Sequence, residues 1–218
     1  MSGIATFDTH AGDYDAWFET HPHAYASELA AVRAFVPGPG TWVEVGAGTG
    51  RFAVPLGITR GVEPSAAMRR LARERGLAMM DGTAEDLPLA DASVDGVLMV
   101  TTLCFLDDVD AAFREAYRVL RPGGAFVIGF IDRGSPLGRH YEANKERHPF
   151  YRHAHFHTLE DVVDCLRDAG FEPAGFRQTI FQNPDEMTEP DPIREGFGEG
   201  SFVVVKAVRP SIGGRQVH

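Results

Sequence analysis

The stretch WVEVGAGTGRF, residues 42–52, sets three alternating glycines, Gly46, Gly48 and Gly50, behind a short apolar run that carries one carboxylate, Glu44. Glycine admits positive φ and lets a ligand approach the backbone with no Cβ in the way. Such a turn, between a strand and a helix, is where α/β sheets take nucleoside ligands. The dinucleotide fingerprint is G-x-G-x-x-G, and here Arg51 stands where the third glycine belongs. Downstream, Glu63 ends a second apolar run, where a carboxylate accepts hydrogen bonds from both hydroxyls of a ribose. That feature suits a dinucleotide and any other nucleoside alike.

A second group of reactive side chains lies between Asp132 and His157, which hold five of the nine histidines together with Tyr141 and Tyr151. In the run HAHFH an extended backbone would send His153, His155 and His157 to one face and Ala154 and Phe156 to the other. Three imidazoles on one face form a metal-ligand pattern. The run contains no Asp, Glu or Cys, so no metal is expected; solvated histidines, substrate contact and proton transfer are the other readings. His140, with Tyr141 beside it, and His153 are the candidates for a general base, because imidazole titrates near neutrality. Tyr141-Glu-Ala-Asn-Lys145 has the Tyr-x-x-x-Lys spacing of dinucleotide-dependent oxidoreductases, but it follows the fifth strand rather than the fourth. Near the N-terminus, FDTHAGDYDAWFETHPHAYASE brings Tyr14, Trp17 and Tyr25 together, and aromatic faces attract a cation. Tyr14 is the foremost of these.

The elements that would position these residues alternate along the chain. AYASELAAVRAF, with Leu29, Val32 and Phe35 on one stripe, reads as a helix. TWVEV, ITRGVE, LAMMDG, VDGVLMVTT, AFVIGFI, RQTIFQ and SFVVVKAVR read as seven strands. Ser65 is an N-cap for AAMRRLARER, Asp107 and Asp108 sit at the positive end of DVDAAFREAYRVL, and Thr158 with Asp161 opens LEDVVDCLRDAG as a capping box. Residues 183–200 read as a long hairpin connection. Strands alternating with helices of this length give an α/β, doubly wound, mostly parallel sheet with helices on both faces. Ligands of such sheets bind beyond the carboxyl ends of the strands.

The bulk properties limit the function classes. The chain has 218 residues, 44% of them hydrophobic and 24% charged, as in a globular domain. One domain over 1–218 is expected, with an N-terminal cap at 1–36 and a substrate-side insertion at 132–157. A net charge of −10 with no basic run argues against nucleic acid as a partner. No apolar run reaches about 18 residues, and the first residues lack a basic-then-apolar leader, so neither membrane nor secretion is expected. Two distant cysteines, Cys104 and Cys165, fit a reducing cytoplasm. A monomer or homodimer is expected.

Four motifs in order, VEVGAGTGRF, GVEPSAAM, GTAEDLPLADASVDGVLMVTTLCFLDD and AYRVLRPGGAFVIGF, resemble the class I S-adenosylmethionine-dependent methyltransferases over roughly residues 7–170. SPLGRHYEANKERHPFYRHAHFHTLEDV looks like a small bacterial subgroup acting on small molecules. The resemblance implies a Rossmann-like methyltransferase fold with the last strand antiparallel, and S-adenosylmethionine as cofactor. It places Glu44 near the methionine part, ordering the turn; Gly46, Ala47, Gly48 and Gly50 against the cofactor through their backbone; and Glu63 on the ribose. Pro64 and Met68 would pack on the adenine, with Thr83, Ala84 and Glu85 at its edge. Thr101 and Cys104 would line the methionine side, and Tyr14 would cover the sulfonium. The implied reaction is in-line methyl transfer to an O, N or S nucleophile of a small metabolite. An NAD(P)-dependent oxidoreductase and a cofactor-binding module without catalysis are the alternatives.

Overall fold

The computed structural model describes residues 3–36, 38 and 40–211. In chain order its helices are α1 (Gly3–Thr20), α2 (Pro22–Arg33), α3 (Ala66–Glu74), α4 (Val109–Val119), α5 (Pro136–Asn144) and α6 (Leu159–Asp168). Its strands are β1 (Trp42–Val45), β2 (Arg60–Val62), β3 (Ala78–Met80), β4 (Val94–Val100), β5 (Leu120–Ile131), β6 (Glu172–Thr179), β7 (Arg194–Glu195) and β8 (Phe202–Val208). The expected caps form. The Ser65 hydroxyl accepts from the Met68 N–H, Asp108 accepts from the Ala111 N–H, and Thr158 and Asp161 make a reciprocal capping box.

The strands form one sheet in the order β3-β2-β1-β4-β5-β8-β6-β7. β1 to β5 are parallel, and β8 lies antiparallel between β5 and β6. The sheet therefore has eight strands rather than seven. The extra one, β7, comes from segment 183–200 and consists of two residues opposite Arg177 and Gln178. Two residues carry no periodicity from which a strand can be read. β6 also begins earlier than expected and ends before Ile180, whose φ of +61° breaks the extended backbone. After the glycine turn no α-helix forms: residues 51–57 are consecutive turns ending at Gly57, φ +76°. Pro55 has no N–H to continue a helical ladder there.

Strand side chains alternate between two cores. Val97 and Met99 of β4 pack on one face with Phe113 of α4 and Val162 and Leu166 of α6. Leu98 and Val100 pack on the other with Val32 of α2 and Ala72 of α3. On α2 the buried residues are Ala24, Ser27, Glu28, Ala31 and Val32; of the expected stripe Val32 and Phe35 are buried and Leu29 half-buried, and the buried face reaches further round the helix to take in Glu28. Among the described residues no helix is long and apolar enough to cross a membrane.

Candidate active site

Strand order reverses at β1, which has β2 on one side and β4 on the other, so the crevice beyond their carboxyl ends is where a ligand would enter. The glycine turn lies there. Gly46 and Ala47 donate their N–H groups to the Val62 carbonyl at 2.9 and 3.1 Å, which ties the turn to β2. Gly46, Gly48 and Gly50 take φ of +68°, +51° and +82°. A Cβ on Gly48 would meet only the Tyr14 ring, at 3.7 Å. Space is therefore left over the turn.

Glu63 closes the crevice from β2. Its Oε2 accepts from the Gly48 N–H at 3.0 Å and its Oε1 from the Ser65 N–H at 2.9 Å. Burial raises its pKa against the lowering effect of those two bonds. One lone pair remains on each oxygen, the number that a pair of vicinal hydroxyls needs. The open glycine turn beside a half-satisfied carboxylate thus fits the nucleoside part of S-adenosylmethionine.

The other expected contacts are distributed less evenly. Glu44 is buried, and its Oε2 accepts from the Ala53 N–H at 2.8 Å, so it orders the segment after the turn. Burial pushes its carboxyl up to about 8. Pro64 is half-buried and Met68 buried at the start of α3. Thr83 pairs with Asp86 in an isolated bridge, and Ala84 sits in the core. Glu85 commits Oε1 to the Asp107 and Asp108 N–H groups at 3.1 and 3.5 Å, joining its loop to the start of α4.

α1 lies across this crevice, fastened at two points. Asp8 accepts from the Ser65 hydroxyl at 2.7 Å and the Ala67 N–H at 3.1 Å. Asp15 accepts from the Thr49 hydroxyl at 2.5 Å, from Arg51 Nε and Nη2 at 2.9 and 2.7 Å, and from Arg75 Nη2 at 2.6 Å. Burial works to raise the Asp15 carboxyl, but these donors together hold it well below the usual carboxylate range. Arg51, visible in the sequence only as a missing glycine, is the clamp between α1 and the turn.

Beyond Thr101 the chain lines a cavity of about 240 Å³. Thr101 itself has φ +52°, an uncommon and strained value for a β-branched residue. Its hydroxyl lies 3.4 Å from the Tyr14 hydroxyl. Tyr14, Tyr141 and Cys104 all line the cavity. Burial holds both phenols well above their ordinary range and pushes the Cys104 thiol up to about 12, so all three stay protonated at neutral pH. His140 is exposed and belongs instead to a second cavity of about 430 Å³, which it shares with Tyr141 and Trp17. His153 ends a single 3₁₀ turn, exposed, and lines neither cavity. In HAHFH, Ala154 and Phe156 are buried and His153 and His155 exposed, while half-buried His157 turns to the first cavity. Among the described residues no three His, Cys, Asp or Glu side chains come together to hold a metal. Lys145 pairs with Glu142 at 2.8 Å and donates to the Ala154 carbonyl at 3.3 Å, which occupies the lysine of the Tyr-x-x-x-Lys spacing.

Two polar groups of the cavity carry no partner among the described residues. His157 Nε2 is buried without a hydrogen bond, and Glu28 of α2 meets no donor. In the sequence the signal of Glu28 is a carboxylate one turn before Val32, at the margin of the Leu29, Val32 and Phe35 stripe.

Comparison with known proteins agrees with this architecture. The family model described as a methyltransferase domain matches residues 43–128. An uncharacterised protein of Methanocaldococcus jannaschii is 39% identical over 201 residues, 92% of this chain and 97% of that one. A demethylmenaquinone methyltransferase of Roseiflexus is 30% identical over 169 residues, 70% of this chain and 66% of that protein. A Thermotoga maritima crystal structure, described as a SAM-dependent methyltransferase and "possible histamine N-methyltransferase", superposes with a TM-score of 0.92 at 49% identity, covering 95% of this chain and 99% of that one. By the family-model match and the likeness to a methyltransferase structure 49% identical over almost its whole length, the chain belongs to the class I S-adenosylmethionine-dependent methyltransferases.

Proposed function

We propose that this methyltransferase moves the methyl group to an O, N or S nucleophile of a small metabolite held in the 240 Å³ cavity, working in the cytoplasm as a monomer or homodimer. The chain acts as one domain over 1–218, with 1–36 as a cap and 132–157 as the substrate-side insertion. The observation that carries the reading is that the cavity meets the glycine turn through Tyr14 and Thr101, so acceptor and donor sites share a wall. S-adenosylmethionine supplies an electrophilic methyl carbon with a cationic leaving group.

The chain's own work is alignment and exclusion of water. Glu63 takes the ribose hydroxyls, and Gly46, Ala47, Gly48 and Gly50 give backbone to the donor's amino acid end. Pro64, Met68 and Ala84 pack about the base, with Thr83 and Glu85 at its rim. Tyr14 presents its ring to the cationic centre. Orientation of this kind lowers a barrier by up to roughly 7–11 kcal/mol in well-aligned reactions. Tyr14 and Tyr141, neutral donors in the cavity, position the acceptor; His140 and His153 stand too far outside it to take its proton.

Calorimetric titration with S-adenosylhomocysteine tests the donor site. Micromolar binding to the wild type, weakened at least tenfold in Glu63→Ala, is the expected result, since that change removes both ribose acceptors. Tighter binding of NAD than of S-adenosylhomocysteine would return the glycine turn to the dinucleotide class. Binding without transfer to any small acceptor would favour a non-catalytic module.

A further inference from the structure

α2 carries a carboxylate on its buried face. Ala24, Ser27, Glu28, Ala31 and Val32 follow the i, i+3, i+4, i+7, i+8 spacing of a core-facing stripe, and Glu28 falls in its middle. The residue is 5% exposed and opens onto the 240 Å³ cavity. Burial alone acts on its carboxyl and pushes it up to about 8; no cation or N–H among the described residues answers it. With its oxygens open to the cavity and no donor beside them, a carboxyl in so apolar a wall is placed to meet a ligand.

The cavity indicates which ligand. Rings of Tyr14, Trp17, Phe18, Tyr141 and Tyr151 face the same space. Among the described residues no Lys or Arg lines it. Of the other titratable groups on its walls, Tyr14, Tyr141, Tyr151 and Cys104 are held protonated by burial, and His148 and His157 are held neutral by it. Asp13, exposed, is paired with His10 at 2.9 Å. A chamber of π faces with Glu28 in its wall, the exposed Asp13 at its lining and no Lys or Arg repels anions and favours a compact cation.

We infer that the methyl acceptor is a small primary or secondary amine with an apolar body, and that Glu28 receives its ammonium group and takes its proton. The inference rests on the methyl-transfer reading above. An ammonium nitrogen has no free lone pair, so it must lose a proton before it can act. The Glu28 carboxylate takes one proton from the bound ammonium. The nitrogen lone pair then forms a bond to the methyl carbon as the carbon–sulfur bond breaks, and that electron pair stays on sulfur. The positive charge passes from sulfur to the methylated nitrogen. Glu28 is a catalytic residue in this scheme: it gives its own proton to solvent as the ammonium binds, and the proton it then takes restores the neutral acid for the next turnover.

The test is calorimetric binding to protein saturated with S-adenosylhomocysteine. Phenethylamine, cyclohexylmethylamine and hexylamine are each compared with the matching alcohol. At least one amine should bind about tenfold or more tightly than its alcohol, the ratio a charge-assisted hydrogen bond supplies. At pH 7 its binding should release a proton, read from two buffers of different ionisation heat, because the protonated Glu28 must ionise to pair. Glu28→Gln should abolish both the preference and the proton release while leaving S-adenosylhomocysteine affinity and a single cooperative thermal unfolding transition in place. Equal binding of every amine and its alcohol overturns the inference, as does a preference that Glu28→Gln retains. Failure of S-adenosylhomocysteine to bind the wild type would instead strike at the methyl-transfer reading.

Discussion

Gly46 and Gly48 share positive φ but are held to glycine by different neighbours. A Cβ on Gly46 would lie 2.2 Å from Thr102 Cγ2, and the Thr102 hydroxyl already donates to the Gly46 carbonyl at 3.1 Å. A Cβ on Gly48 would enter the open space where the donor belongs. Gly46→Ala should therefore lose about 3 kcal/mol or more of stability, adding overpacking to the left-handed backbone cost. Gly48→Ala should lose only about 1–2 kcal/mol, yet bind S-adenosylhomocysteine at least tenfold more weakly. Urea unfolding and calorimetry on both variants check this; equal stability losses would show that Thr102 yields. The glycines and Glu63 were legible in the sequence because backbone conformation and a strand-end acid leave their mark in residue type. The difference between the two glycines was not, because it lies in a contact with Thr102, far along the chain.

α1 depends on a few polar contacts to stay over the crevice. Asp15 and Arg51 are each 17% exposed and meet in a two-pronged ion pair that Thr49 and Arg75 extend. The pair joins the cap directly to the glycine turn. Asp15→Asn keeps the shape but removes the charge, and should weaken the clamp by about 1–2 kcal/mol, allowing for its partial exposure. Amide exchange in residues 4–20 should then quicken about tenfold while β4 and β5 remain protected. Quickening spread evenly over the sheet would mean that Asp15 supports the whole fold instead. Helices and long strands showed in the sequence through their periodicity and caps. The insertion did not: α5 is followed by two single 3₁₀ turns, Lys145–Arg147 and Tyr151–His153, too short for any pattern to repeat.

Taken as a molecule, the chain joins a sheet edge legible in its motifs to a chamber that is not. The chamber is assembled from Tyr14, Glu28, Cys104, Tyr141 and His157, five segments whose meeting only the fold determines. Its buried acid has a consequence for global stability. Burial pushes Glu28 and Glu44 up from 4.5 to about 8, so between those values the folded chain holds protons that the unfolded chain has released. Their contribution to stability is fully present below about pH 4.5, declines with rising pH, and is gone above about 8. Asp8, Asp15, Asp95, Glu115 and Asp161 are shifted downward, and their contribution is lost only at more acid pH. His148 and His157 are lowered from 6.5, so they favour the fold as pH rises to that value and are silent above it. The cysteines and tyrosines that shift at all are raised from 9 or higher, and they act only above the window. From pH 6.5 to 8, then, the wild type free of acceptor should become less stable as pH rises. Glu28→Gln, which cannot ionise, should make that decline shallower by about 1.4 kcal/mol per pH unit, the work of one proton. Urea unfolding at three pH values in that range measures both slopes. Identical slopes would mean that the Glu28 carboxyl titrates in the fold as it does in water, and that the chamber holds no buried acid for an amine to answer.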